Sequence, residues 1–190
     1  QVEGFLDDLR RFVKTVPYDA ARAEERYDRT VAFGELISTT IISEWLRSSG
    51  IANHWVDMRH CFVTQFRHKD ANVLLDESAP RLRREVAGST ARVFIGQGFI
   101  GSAADGSTTT LGREGSDYSA AVVANILMAE SMSVWKDVEG VLNADPKIFK
   151  DAVKIDSLNY LDTIELAYSG AQIIHPKTIK PLQNKNIPLY

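Results

Sequence analysis

Residues 95–101 read IGQGFIG and place three glycines at G-x-G-x-x-G spacing directly after an apolar run. A dinucleotide-binding turn needs a strand before such glycines and a helix that opens within them to receive a pyrophosphate. A strand is predicted over residues 91–95. Residues 102–110, SAADGSTTT, have the composition of a loop, and the next helix is predicted only from Ser116. We therefore interpret the glycines as a tight loop at a strand end, where backbone can approach a ligand closely, and not as a nicotinamide site.

Strand and helix signals alternate on both sides of this loop. Helices are predicted over residues 19–29, 34–47 and 116–129 and near residues 80–87, and Gly50 is expected to end the second of them. A further helix is predicted to start with the capping-box pair Asn159 and Asp162 and to end at Gly170. Strands are predicted over residues 51–56, 61–65, 91–95, 132–135 and 182–190. This alternation predicts an α/β fold with a largely parallel sheet, whose ligands bind beyond the carboxyl ends of the strands.

Composition restricts the class of protein. With 190 residues, 44% of them hydrophobic and 25% charged, residues 1–190 are predicted to form a single domain with a substantial core. A net charge of −3 gives no reason to expect a nucleic-acid or anionic-membrane partner. The most apolar window, residues 118–129, is shorter than the roughly 20 residues that a membrane span needs. A lone cysteine, Cys61, and the lack of a secretory signal pattern favour the cytoplasm.

The strongest local signal is residues 108–120, TTTLGREGSDYSA, a loop rich in hydroxyls and glycines that leads into a helix. Unpaired N–H groups and the helix dipole favour an anion at such a junction, and the planar guanidinium of Arg113 can hold a carboxylate through two hydrogen bonds. In the alternative interpretation, Ser116 and Asp117 only cap the helix while Arg113 and Glu114 are solvated.

Residues 135–147, WKDVEGVLNADPK, leave a predicted strand and enter an acidic turn. Asp137 could hold Mg²⁺ or a ribose there, but Asp-Pro is also common in ordinary turns, and the residues alone leave both alternatives open. The histidines lack metal-ligand spacing, so no metal-binding residues are assigned; His175 is expected to pack or hydrogen-bond at a helix start. Cys61 is assigned to packing, and the three tryptophans (Trp45, Trp55 and Trp135) to the core or an interface.

Six segments together resemble the catalytic domain of aspartate kinases, within the amino-acid kinase family. They are, in chain order, FGELIST, QGFIG, TTLGREGSDYSAA, DVEGVLNADPK, ELAYSGAQIIHPKT and NIPLY, and they cover residues 31–190. The resemblance implies a three-layer α/β/α sandwich of the carbamate kinase-like type. It also implies transfer of the γ-phosphoryl group of ATP, with Mg²⁺, to the side-chain carboxylate of L-aspartate. The product, 4-phospho-L-aspartate, serves lysine, threonine and methionine biosynthesis.

The same resemblance assigns roles to residues. Arg113 would clamp the α-carboxylate of aspartate and Glu35 would bind its amino group, while Phe99 and Ser116 shape that pocket. Asp117, with Arg113, would organise the site of phosphoryl transfer. The nucleotide would be bordered by the following residues: Lys136, Asp137, Leu142, Lys147 and Gln172.

The chain also departs from the family pattern. The family's Lys-Phe-Gly-Gly-Thr-Ser motif does not occur, so we expect a fragment that lacks the first strand, its phosphate-binding loop and the regulatory ACT domains, and that is inactive alone. An unpaired strand edge would favour self-association, hence a homo-oligomer. Glu114 adds negative charge near the anion site, and neutral Gln172 stands where many members have lysine. The alternatives are a kinase for glutamate, acetylglutamate or a nucleoside monophosphate, or a non-catalytic binding or oligomerisation module.

Overall fold

Two long helices open the chain. The structure, a computed structural model, describes residues 2–15, 19–137, 140–145, 147–168 and 174–190. Helix α1 (Val2–Thr15) packs on α2 (Ala23–Ser48) through Phe12, whose ring lies 6.5 Å from that of Phe33. The two helices predicted over residues 19–47 are one, since no proline or cap interrupts the sequence between them. Gly50, with φ of +82°, follows the end of α2 as predicted.

Short strands form a mainly parallel arrangement, as predicted. Strand β1 (His54–Val56) pairs in parallel with β3 (Phe94–Gly96), and β2 (Val63–Thr64) pairs in parallel with β4 (Ile100–Ala103). Strand β5 (Thr108–Thr110) is antiparallel to β4.

Two expectations about these segments were wrong. Residues 102–110 are not a loop but the β4–β5 hairpin, in which Asp105 accepts hydrogen bonds from both N–H and hydroxyl of Ser107 and Gly106 adopts a φ of +84°. The threonines after this turn are β-branched and favour a strand. The strand predicted over residues 61–65 is shorter, because Asp57 caps the short helix α3 (Met58–Cys61).

The strands form two short sheets, β1–β3 and β2–β4–β5, and helices cover both faces of this strand layer. On one face, Ala32 and Leu36 of α2 form a buried cluster with Ile100, and Trp55 packs against it. On the other face, Val56 packs with residues of α4 (Leu75–Ala87) and α5 (Gly115–Leu127). Trp55 and Val56 are consecutive in β1 and therefore point to opposite faces. The three-layer α/β/α architecture is confirmed.

The carboxyl-terminal part packs on α5. Helix α6 (Tyr160–Tyr168) starts as predicted, because the Asn159 side chain accepts a hydrogen bond from the Asp162 N–H at 2.9 Å. Helix α7 (Pro176–Gln183) follows His175, which caps it by accepting the Lys177 N–H. The strands predicted over residues 132–135 and 182–190 reduce to one parallel bridge between Met132 and Leu189. Among the described helices, none is long and apolar enough to cross a membrane.

Cys61 lies in the core as predicted, and burial raises the pKa of its thiol to about 11. The three tryptophans differ in their exposure to solvent. Trp55 is half-buried and donates its indole N–H to Thr39, but Trp45 is 65% exposed and Trp135 is 94% exposed, so neither of these two belongs to the core.

Candidate active site

The glycine-containing loop after β3 lies directly on the first turn of α5. A Cβ atom added to Gly98 would lie 2.7 Å from the Cβ atom of Ser116, and one added to Gly115 would lie 2.7 Å from the Phe99 ring. Phe99 itself has a φ of +69°, and its N–H donates to the Ser119 hydroxyl at 2.9 Å. Two motifs that are separate in sequence, QGFIG and GREGS, therefore form one surface.

Helix α5 starts differently from the prediction. Glu114, in a left-handed conformation with φ of 52°, is the N-terminal cap residue, and its side chain makes no capping hydrogen bond. Ser116 is already inside the first turn and is exposed, so the prediction that it caps the helix was wrong. The physical reason is the left-handed turn at Glu114, which starts the helix one residue earlier, at Gly115.

Arg113 is exposed on the loop that enters α5. Within the part of the chain that the structure describes, its guanidinium forms neither a hydrogen bond nor an ion pair. An unengaged guanidinium beside the positive end of a helix dipole is suited to binding a carboxylate.

Glu35 lies on α2 with its carboxylate half-buried, and burial raises its pKa above the usual range. No cation or hydrogen-bond donor reaches this carboxylate from the described residues. A desolvated carboxylate without a partner favours a cationic ligand, because such a ligand would restore the lost stabilisation of its charge.

Two residues that the sequence analysis did not single out connect Glu35 to the glycine-containing loop. The Thr39 hydroxyl donates to the Glu35 carbonyl oxygen at 2.7 Å, and the Gln97 side-chain amide donates to that hydroxyl at 2.9 Å. Gln97 is only 2% exposed, and its amide oxygen accepts the Met58 N–H at 2.8 Å. Both residues lie inside motifs quoted above, but no sequence signal shows that positions 58 residues apart are hydrogen-bonded.

Asp117 and Lys136 form an ion pair, with Nζ 3.0 Å from Oδ2. Their side chains are 19% and 34% exposed, respectively, so the pair is partly shielded from water. The residue expected to organise phosphoryl transfer is thus in contact with one expected to border the nucleotide.

The other residues expected at the nucleotide are less connected. Asp137 and Lys147 are exposed, and Leu142 forms an isolated antiparallel bridge with Lys154. Among described residues, no hydrogen bond or ion pair joins these three to Arg113 or Asp117. Gln172 lies outside the described residues. Their assignment to the nucleotide stays a prediction.

The sequence profile of the amino acid kinase family matches residues 4–190, and the chain belongs to this family.

Individual relatives of the chain are named as aspartokinases. The chain is 35% identical to bifunctional aspartokinase/homoserine dehydrogenase 2, chloroplastic, of Zea mays, covering 100% of this chain and 21% of that protein. It is 37% identical to lysine-sensitive aspartokinase 3 of Escherichia coli K12, covering 86% of this chain and 36% of that one. The crystal structure of E. coli aspartokinase III in complex with aspartate and ADP superimposes with a TM-score of 0.85 at 33% identity, over 99% of this chain and 42% of that one. The chain thus spans well under two thirds of the length of these relatives.

Proposed function

We propose that this chain carries the acceptor site and part of the nucleotide site of an aspartate kinase. That enzyme transfers the γ-phosphoryl group of ATP to the side-chain carboxylate of L-aspartate and forms 4-phospho-L-aspartate. The observation that carries the proposal is the presence of a guanidinium, Arg113, and a half-buried carboxylate, Glu35, both without a partner among the described residues, on the two segments that contact the glycine-containing loop. The similarity to a kinase structure that holds aspartate and ADP supports the same substrates.

The two charges suit the two ends of a free amino acid. Arg113 binds the α-carboxylate through its planar fork of donors, an interaction of about 1.5–3 kcal/mol. Glu35 accepts hydrogen bonds from the α-ammonium group. Phe99, whose ring lies against Gly115, and Ser116, which lies against Gly98, form the wall of the pocket. The side-chain carboxylate of aspartate is then left to face the nucleotide.

Transfer to a carboxylate requires positioning and charge neutralisation more than proton transfer, because the nucleophile is already ionised at neutral pH. Asp117 holds the Lys136 ammonium through their ion pair, and this ammonium neutralises charge on the transferring group. Lys147 and Gln172 border the nucleotide together with Leu142. The carboxylate of Asp137 offers the hard oxygen ligands that Mg²⁺ prefers alongside phosphates, and the ion would neutralise phosphate charge.

The product feeds lysine, threonine and methionine biosynthesis, and the protein works in the cytoplasm as a homo-oligomer. Relatives named as aspartokinases from bacteria and chloroplasts support the pathway. Light scattering tests the assembly, and a single monomeric species at high concentration would contradict it.

Calorimetric titration of the full-length protein with L-aspartate, L-glutamate and ATP with Mg²⁺, each alone, tests the function. We expect saturable aspartate binding that Arg113→Ala weakens by about 10- to 100-fold, the equivalent of 1.5–3 kcal/mol. Arg92→Ala is the matched control, since Arg92 is also exposed but precedes β3, at the opposite end of that strand from the glycine-containing loop.

The other outcomes identify the alternatives. Tighter binding of glutamate than of aspartate would assign a kinase with another acceptor. Binding of none of the three ligands by a folded protein would favour a non-catalytic module. Aspartate binding that survives Arg113→Ala unchanged would refute the acceptor site described here.

A further inference from the structure

Lys177, at the start of α7, has an unusual environment for a lysine. Its side chain is only 16% exposed, and Nζ donates to the carbonyl oxygens of Ala71 and Leu111 at 2.9 and 3.0 Å. The same atom lies 3.2 Å from an Asp70 carboxylate oxygen and 4.8 Å from the centre of the Tyr118 ring. An ammonium group has three donors, and here all three are used within the protein.

The Leu111 carbonyl is the first point of the loop that carries Arg113. Leu111 is fully buried, and its N–H donates to the carbonyl oxygen of Phe99 at 2.9 Å. The next residue, Gly112, has a φ of +79°, and a Cβ atom there would lie 2.6 Å from the Asp70 carboxylate that Lys177 contacts. Lys177 therefore holds the loop at Leu111, where it leaves the core.

The end of the same loop is held by the same helix start. The carboxylate of Glu114 accepts the His175 backbone N–H at 2.7 Å. This carboxylate is thus engaged by the protein and is directed to the backbone before α7. The negative charge of Glu114, which was expected near the anion site, therefore has a hydrogen-bond donor within the protein.

Helix α7 does not depend on these contacts to stay in place. Ile179 and Leu182 are fully buried, and Leu182 packs in a cluster with Ala121 and Ala124 of α5. The polar contacts of Lys177 and Glu114 instead lie at the two ends of the loop. Lys177 holds the Leu111 carbonyl, the side chain of Glu114 is held by the His175 N–H, and Arg113 lies between them.

We propose that Lys177 and Glu114 form a latch that positions Arg113 for the acceptor substrate. Both are positioning residues, because neither is placed against the ligand; they act through the loop conformation. This inference rests on the proposed function, since it assigns a purpose to the geometry of Arg113. It predicts a selective loss of acceptor affinity when the latch is broken.

The experiment compares Lys177→Met with Lys177→Arg in the full-length protein. Methionine keeps most of the side-chain volume but donates no hydrogen bond, whereas arginine keeps charge and donors. We expect Lys177→Met to raise the KM for aspartate about 10- to 100-fold, the scale of losing the interaction of Arg113 with the α-carboxylate, with kcat and the KM for ATP within about twofold. Lys177→Arg restores part of the loss. Lys180→Met, at an exposed lysine of the same helix, is the control and changes neither KM.

A second measurement does not depend on activity. Trypsin cleaves after arginine, and Arg113 is exposed on the loop. Release of the latch should accelerate cleavage between Arg113 and Glu114 in Lys177→Met relative to the wild-type protein and to Lys180→Met. If wild-type protein binds no aspartate, the proposed function fails, but the cleavage rate still tests the latch.

Glu114 provides the test if Lys177→Met does not fold. Glu114→Ala removes a single acceptor from the His175 N–H, whereas Glu114→Gln keeps an acceptor oxygen; we expect the alanine variant alone to show faster cleavage and a raised KM for aspartate. The latch is overturned if these variants keep the wild-type KM and cleavage rate. It is also overturned if both KM values change together with the fraction of folded protein, which is the signature of a general structural role.

Discussion

Gly98 is the position where one methyl group should disturb the candidate site most directly. Its added Cβ atom would lie 2.7 Å from Cβ and 2.8 Å from Cα of Ser116, whereas ordinary contacts are 3.4–4 Å. The loop and the first turn of α5 must therefore separate by roughly 1 Å. Overpacking of this kind costs about 1–3 kcal/mol in stability, and a displacement of about 1 Å at a reacting site can cost about 100-fold in rate.

The assay follows Gly98→Ala by urea unfolding and by kcat/KM for aspartate in the full-length protein. We expect a stability loss in the range above and a fall in kcat/KM of about 10- to 100-fold. Gly4→Ala is the control, since Gly4 lies in α1 with nothing within 4 Å of an added Cβ atom. An unchanged kcat/KM in folded Gly98→Ala would refute the argument that this contact sets the geometry of the site.

Three further predictions concern ionisable groups. Burial raises the pKa of Glu35, so burying its charge lowers the free energy of unfolding at pH values above the raised pKa, and this cost is relieved as pH falls through that pKa. Glu35→Gln should therefore raise the unfolding midpoint at neutral pH. Aspartate affinity should fall as Glu35 becomes protonated, and calorimetry across pH should show a flatter profile for Glu35→Gln; an identical profile would exclude Glu35 from the site. Asp28 is fully buried and accepts hydrogen bonds from Thr110 and from the Lys69 N–H, so Asp28→Ala should cost about 3 kcal/mol or more in urea unfolding, and a loss below about 1 kcal/mol would contradict this estimate. Burial raises the pKa of Cys61 to about 11, so a thiol reagent at neutral pH should modify Cys61 only as fast as the protein opens, and faster labelling of the folded state would show that the thiol is accessible.

Signals that act within one helical turn were readable from the sequence. Gly50 follows the end of α2 and the Asn159 side chain caps α6, both as predicted. His175, expected to pack or hydrogen-bond at a helix start, accepts a hydrogen bond as the cap of α7. These interactions join residues a few positions apart, so the residue types alone determine them. The largely parallel sheet also followed from the alternation of strand and helix signals.

Segments whose conformation depends on a distant partner were predicted less well. Residues 102–110 have loop composition, yet β4 and β5 pair there because β4 is also held by β2 on its other edge. Ser116 has the residue type of a helix cap, but Glu114 takes that position in a left-handed conformation.

The sequence by itself determined the alternating α/β pattern, the helix ends and, through its ordered motifs, the family and the residues expected at the site. Only the tertiary structure decided how those residues are held. The Gln97–Thr39 hydrogen bond spans 58 positions and that of Lys177 with Leu111 spans 66, and Glu35 is partly desolvated only because α2 is packed against the rest of the chain. Burial and long-range hydrogen bonds arise from packing of the whole chain, which local residue types do not encode.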